Sequence, residues 1–351
     1  MGRGTGHAPR RPRPTHPPQR VGSVGQCGDG PGEFRHLGGI GWLADTLWAY
    51  DGRSRRLTLY GPDLVRLRDF ELPAEARPAP GDEGRIPPYR DIAAYALLPD
   101  GWIAASLSSP MGSGAPEHLD PTLFQWFRVR LRDGRIGAPI AHLRAADDRG
   151  KGYYVDTSGG GFFGRTFPFQ GGEKYAVSDD GAWLAVAEDE EPREEESAFR
   201  LTLVRTSGEQ VYAGRYRVQT GTIPSSMIDS VLGAGFDAIV NSRSSRLSGS
   251  RLRAIARTWR REAEKRIPGR FPALASSGRL VVGRNGAVWV PAFSPSASRR
   301  YMVLDSAGRV VGTATLPSNV RIESATLDRA WTVARDELGI PSVVRYRVHR
   351  P

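Results

Sequence analysis

Gly159, Gly161 and Gly164 spell G-x-G-x-x-G, the spacing of a loop that cradles a dinucleotide pyrophosphate. Such a loop must follow a strand and open a helix, because the helix N-terminus has to meet the phosphates. Here Arg165-Thr166-Phe167-Pro168 follows, and Pro168 opposes a helix, so the stretch reads as a flexible connection. Seven acids between Glu188 and Glu196 supply enough charge to attract calcium. They lack the fixed alternation of carboxylates and carbonyls around a turn glycine that a calcium cage needs, and they read as a solvated hairpin loop. His7, His16, His36, His118, His142 and His349 are scattered, which does not suit a histidine metal site. Neither a G-x-S-x-G elbow nor an H-E-x-x-H helix occurs. Cys27, the single cysteine, rules out an internal disulfide framework or a multi-thiolate site and reads as a free loop thiol. No cofactor is expected from these residues.

The net charge of +11 is unevenly placed. Residues 1–20 carry five arginines and no acid, and residues 243–270 carry ten Lys or Arg against Glu262 and Glu264, which leaves −2 for the remainder. A nucleic-acid surface needs its arginines gathered on a folded face, so nucleic acid is not an expected partner. The Pro/Arg/His-rich residues 1–20 cannot bury surface and are expected to be a disordered basic tail. They have no apolar core, so as written they are not a secretory signal. No run of about 18 apolar residues is present, so no transmembrane segment is expected.

The elements that would position any site come from a repeat. Residues 25–73 contain LGGIGWL, TLWAYD, RRLTLY and LVRLRDFELP, four strand-like runs separated by turn residues. The same order recurs at 89–143, 175–218 and 280–316, and in a three-strand form at 320–348. Each copy has an apolar run, a turn, and then a run carrying a tryptophan: Trp48, Trp102, Trp183, Trp289 or Trp331. Asp-Gly and Asn-Gly pairs supply most of the tight turns. A lone four-stranded sheet leaves two faces and two edges exposed, so such a unit is stable only among copies of itself. Radial repetition, the β-propeller, is the expected solution. Five sheets are counted, 144–174 is the expected home of a sixth, and Val21–Val24 is expected to close the ring as a fourth strand beside Val343–Val348.

Residues 221–272 depart from the pattern. Ser226 with Asp229 resembles a capping box ahead of Met227, Ile228, Val231 and Leu232. Leu252, Ile255, Ala256, Trp259 and Ala263 share one face of a helix over 250–266, which Pro268-Gly269 ends. The pattern predicts a small helical insertion within a propeller spanning 21–351. The arginine face of the second helix fits either a membrane-surface or partner-binding helix, or a helix capping the propeller with its arginines in water.

GDGPGEF and DTLWAYDGRSRRLTLYGPD near the start are similar to NHL-type six-bladed β-propellers. With GRNGAVWVPAF, YMVLDSAGRVVGTATLP and ARDELGIPSVVRYRVHRP near the end, the chain most resembles a group of uncharacterised bacterial six-bladed propeller proteins. That resemblance implies six blades and an exported protein of the cell envelope, periplasmic or secreted, and it carries no reaction. Propeller ligands bind at the mouth of the central channel, among the starts of the innermost strands and the loops between blades. Those positions are Arg35, His36, Arg90, Asp91, Arg165 and Arg321. The function expected is a monomeric, non-enzymatic scaffold that binds a protein, peptide or glycan there. The alternative is a metal-dependent lactonase or lyase with its site in the channel, which would need three or four ligands around one ion.

Overall fold

The computed structural model describes residues 24–77, 79–81, 89, 91–108, 123–144, 152–157, 161–190, 196–242, 247–275, 278–294, 298–335 and 341–347. They form an all-β, five-bladed β-propeller with two helices inserted between the third and fourth blades. Blade 1 is β1 (Leu37–Leu43), β2 (Thr46–Asp51), β3 (Arg56–Tyr60) and β4 (Arg66–Glu71). Blade 2 is β5 (Asp91–Leu98), β6 (Trp102–Ser108), β7 (Leu123–Arg130) and β8 (Ile136–Arg144). A hairpin of β9 (Gly152–Thr157) and β10 (Gly161–Thr166) follows. Blade 3 is β11 (Glu173–Val177), β12 (Trp183–Asp189), β13 (Ser197–Arg205) and β14 (Gln210–Val218). After helices α1 (Ser225–Val240) and α2 (Gly249–Arg266) comes blade 4, comprising β15 (Val281–Val282), β16 (Val288–Ala292), β17 (Arg299–Leu304) and β18 (Val310–Leu316). Blade 5 has three strands, β19 (Val320–Ala325), β20 (Arg329–Arg335) and β21 (Pro341–Arg347).

Every blade is an antiparallel meander in sequence order, and each marker tryptophan lies on the second strand of its blade. Burial follows the radial position. β12 is buried on both faces over Trp183–Ala187, since a blade packs on either side, and it is apolar without alternation. The outermost β14 alternates exposed and half-buried residues. Leu57, Ile103, Val129 and Leu184 join blades 1, 2 and 3 in one core, Ala185, Leu201, Val282 and Val290 join blades 3 and 4, and Trp289, Val303, Ile322 and Ala330 join blades 4 and 5. Fully burying one such side chain stabilises the assembly by roughly 1.5–3 kcal/mol.

Three expectations need correction. Among the described residues the interval 144–174 holds the two-stranded hairpin β9–β10 rather than a four-stranded sheet, so five blades are formed there and not the six implied by resemblance. Gly161 and Gly164 lie inside β10, so that part of the glycine motif is a strand and not a flexible connection, and Gly159 lies outside the described residues. The last sheet is three-stranded among the described residues, and Val24 packs on Leu47, Ala49 and Tyr60 of blade 1. The rest of the expected closing strand, residues 21–23, and the expected tail, residues 1–20, lie outside the described residues.

The helices match expectation except at their caps. Pro224 takes the N-cap position of α1 with no side-chain bond, so Ser226 and Asp229 form no capping box. Ser248 caps α2 by accepting the Arg251 N–H. The apolar stripe of α2 is buried with Leu232, Ile239 and Phe167, which leaves only its arginine face to solvent. No helix among the described residues is long and apolar enough to cross a membrane.

A meander puts the connections between its first and second and its third and fourth strands on one side of the ring, and all others on the opposite side. The first set is short throughout: 44–45, 61–65, 99–101, 131–135, 178–182, 206–209, 283–287, 305–309 and 326–328. The strand ends joined by the long connections 72–90, 109–122, 145–172 and 219–280 all lie on the other side, and residues 73–77 then reach the 131–135 turn of blade 2, where the Arg77 N–H donates to the Gly134 carbonyl (2.9 Å). The ring therefore has a short-turn face and a long-connection face. On the short-turn face Asp179 cinches the ring: its carbonyl accepts the Trp42 N–H (3.2 Å), and its carboxylate accepts the Ser324 hydroxyl. One residue of blade 3 thus ties blades 1 and 5.

Candidate functional site at the channel mouth

The inner strands start on the long-connection face, and there the sequence-predicted residues divide by what holds them. Arg35 and His36 precede β1, and both main-chain N–H groups donate to the Asp51 carboxylate (2.8 and 3.2 Å). Asp51 also accepts the N–H groups of Arg53 and Ser54 (2.9 and 3.3 Å). Burial pushes this fully buried carboxyl upward, but the donors of Arg35, Arg53 and Ser54 outweigh it and bring its pKa down to about 2. The Arg35 guanidinium is paired with Asp29.

The GDGPGEF segment is organised by its own acids. Glu33 accepts Gln26 Nε2 (2.5 Å) and the Gly30 N–H (2.8 Å), and the Arg56 guanidinium donates to the carbonyls of Asp29 (3.1 Å), Gly30 (2.8 Å) and Glu33. The motif that carries the family resemblance is thereby explained by loop closure onto blade 1.

Arg321 lies in β19 and is paired with Glu323, which also accepts Arg279 at 3.4 Å. Two guanidiniums share one carboxylate, so this cluster keeps a positive excess. Arg165, in β10, stands with its guanidinium 5.7 Å from the Trp259 ring of α2, so the hairpin leans on the helical insertion. Asp91 opens β5 opposite Ser108, and Arg90 lies outside the described residues. No hydrogen bond or ion pair among the described residues joins Arg35, Arg165 and Arg321 to one another.

Sequence reasoning missed several groups. Lys174, at the start of β11, donates to the Gly278 carbonyl (3.1 Å); burial lowers its pKa, and the nearby Asp189 works against that shift. Asp189 ties blade 3 to the segment leading into blade 4 by accepting the Leu274 N–H (2.9 Å). Tyr95, Trp126 and Tyr175 form an aromatic trio between blades 2 and 3, with the two hydroxyls 3.2 Å apart. Burial and the Tyr95 hydroxyl push the Tyr175 phenol well above the ordinary tyrosine range. The only sequence signal for Lys174 was the scarcity of lysine in an arginine-rich chain.

The acidic run between β12 and β13 is partly accounted for by arginines. Glu190 accepts Arg200 (2.9 Å) and Arg215 (2.8 Å), while Glu196 accepts Arg215 (2.6 Å) and Arg217 (2.9 Å). These acids hold the outer strands of blade 3, and residues 191–195 lie outside the described residues. Among the described residues no three His, Cys, Asp or Glu side chains come together in a metal-binding group.

No family model matches the chain, and no curated protein matches it. Among solved structures it is similar to a member of the DUF4221 family from Bacteroides vulgatus, at 9% identity over 87% of this chain and 76% of that one, with a TM-score of 0.35. It is also similar to Kluyveromyces lactis Hsv2, at 8% identity over 90% and 98% with a TM-score of 0.27. A prolyl endopeptidase aligns at 13% identity over 86% of this chain and 37% of that one, with a TM-score of 0.26. Likeness at this level assigns neither family nor function.

Proposed function

We propose that this chain is a non-enzymatic binding scaffold that holds a protein, peptide or glycan at the channel mouth on its long-connection face. The observation that carries this reading is the asymmetry of the ring: the strand ends joined by the four long connections all lie on one side, while short hairpins close the other. Rigid blades that present long loops on a single side are the usual arrangement for a binding surface. Arg35, His36, Asp91, Arg165 and Arg321 are the proposed contacts, with Arg279 added because it shares Glu323 with Arg321. The positive excess there favours an anionic ligand or an acidic partner segment.

The test is a peptide and glycan array probed with residues 21–351, in parallel with the double variant Arg279→Glu/Arg321→Glu. A ligand captured by the first protein and lost by the second supports the reading. Capture that survives the double variant, or divalent-ion-dependent turnover of a lactone or glycan, would replace it.

A further inference from the structure

The junction of blades 1 and 2 carries a second candidate site, independent of the mouth. A cavity of about 330 Å³ lies where blades 1 and 2 meet, lined by Phe70 of β4, by Gly101, Trp102, Arg130 and Leu131, and by Arg132. Trp102 occupies the position that Trp183 holds in blade 3, since each is the first residue of its second strand and faces an arginine on the third, Arg130 and Arg205 respectively. Their surroundings differ. Trp183 is 4% exposed, its indole N–H donates to the Arg284 carbonyl of the next blade (2.9 Å), and the Arg205 guanidinium stacks 3.5 Å from its ring. Trp102 is half-buried, and its arginines stand off at 5.4 Å (Arg128) and 5.9 Å (Arg130). The corresponding turn of blade 3 does not cover it, because Gly181 sits against Leu97 and Leu98 instead. Gly137 closes one side of the indole, so near that an added Cβ would lie 2.7 Å from the ring.

The charge around this ring is lopsided. Arg68 lies 4.5 Å over Phe70, and Arg128, Arg130 and Arg132 surround Trp102. Among the described residues Asp133 is the one acid paired with them; it accepts both arms of Arg130 and stands 3.9 Å from Arg132. Arg132 is 78% exposed. The Arg128 Nε–H is buried with no hydrogen-bond partner among the described residues. An open indole face with an aromatic neighbour suits the C–H face of a pyranose, and exposed guanidinium forks suit carboxylates. A neutral sugar would leave the arginines unanswered, and an acidic peptide segment would leave Trp102 and Phe70 wet. We infer that this cleft binds an acidic carbohydrate, a glycan bearing carboxylate groups.

The test is calorimetric titration of the full chain with tetragalacturonate, with maltotetraose as the neutral control and hexaglutamate as the acidic-peptide control. Tetragalacturonate is expected to bind, and Arg132→Glu to weaken it by at least about tenfold with an unchanged melting temperature. Arg279→Glu/Arg321→Glu at the mouth is expected to leave this binding unchanged, which separates the two sites. Trp102→Ala should also abolish it; if that variant misfolds, Arg132→Glu decides alone. Absence of binding, equal binding of maltotetraose, tighter binding of hexaglutamate, or indifference to Arg132→Glu would each overturn the inference.

Discussion

Trp183 and Trp102 began from the same repeat and do different work. Trp183 is shut between blades 3 and 4, with its N–H and its π-face both engaged, and Trp289 repeats this through the Thr326 carbonyl of blade 5 (3.0 Å). Trp102 keeps the strand position without the cover. The difference shows that a repeat motif secures strand order, whereas the use of its side chain depends on how the following blade is set. Where the next turn lands on the ring, the tryptophan is a clamp; where it lands on Leu97 and Leu98 instead, an aromatic ring is left half-buried.

The comparison is broken most directly at the clamps. Trp289→Ala is expected to cost about 3–5 kcal/mol in chemical denaturation, because a fully buried indole is removed and the Thr326 carbonyl loses its donor. Trp102→Ala is expected to cost no more than about half as much by the same measurement, and equal costs would show that the two positions are equivalent after all.

A second, somewhat smaller effect belongs to Asp51, which is engaged as fully as the clamps. Its pKa is held at about 2, below the value of an unfolded chain, so its contribution is present above the unfolded pKa and is lost as pH falls towards about 2. Asp51→Asn is expected to lower stability by about 2 kcal/mol at neutral pH and to flatten the acid limb of the stability profile. An unchanged acid limb would mean that the four N–H donors do not discriminate between the charged and neutral side chain.

Lys174 tests the opposite sign. Burial depresses its pKa, so the folded state binds this proton less readily than the unfolded chain, and stability from this residue rises with pH up to the unfolded lysine value. Lys174→Met is expected to raise stability at neutral pH by about 1 kcal/mol and to remove that alkaline rise. A loss of stability would show that the bond to Gly278 outweighs the cost of burying the charge.

The smallest expected effect separates the two guanidinium–indole contacts. Arg205→Ala, which removes a stack at 3.5 Å, should cost about 1 kcal/mol, and Arg130→Ala, at 5.9 Å, less than half of that. Equal costs would erase the distinction between a covered and an open ring.

The ring was largely legible in the sequence because its signals are local. A turn such as Asn285-Gly286 needs a positive φ, which Gly286 adopts at +74°, and an apolar run on each side of it then has only one way to pair. The stop at Pro268 was local as well. The sites were not legible, because they depend on residues far apart in the chain. Glu323 gathers Arg279 and Arg321, and Arg165 meets Trp259, across separations that no periodicity reports. The expected cap at Ser226 failed because Pro224, already extended, starts the helix two residues earlier. The half-open state of Trp102 is invisible in its own neighbourhood, since the landing point of Gly181 decides it.

The bonds that Trp42 and Ser324 make to Asp179 place the first and last blades on a single latch carried by the middle one. Tension applied between the two extremities of the chain would load that latch before it sheared any blade. Asp179→Ala keeps the carbonyl that Trp42 donates to but removes the carboxylate that holds Ser324, so it should lower the first rupture force in single-molecule pulling while leaving the later steps, the unravelling of individual sheets, where they were.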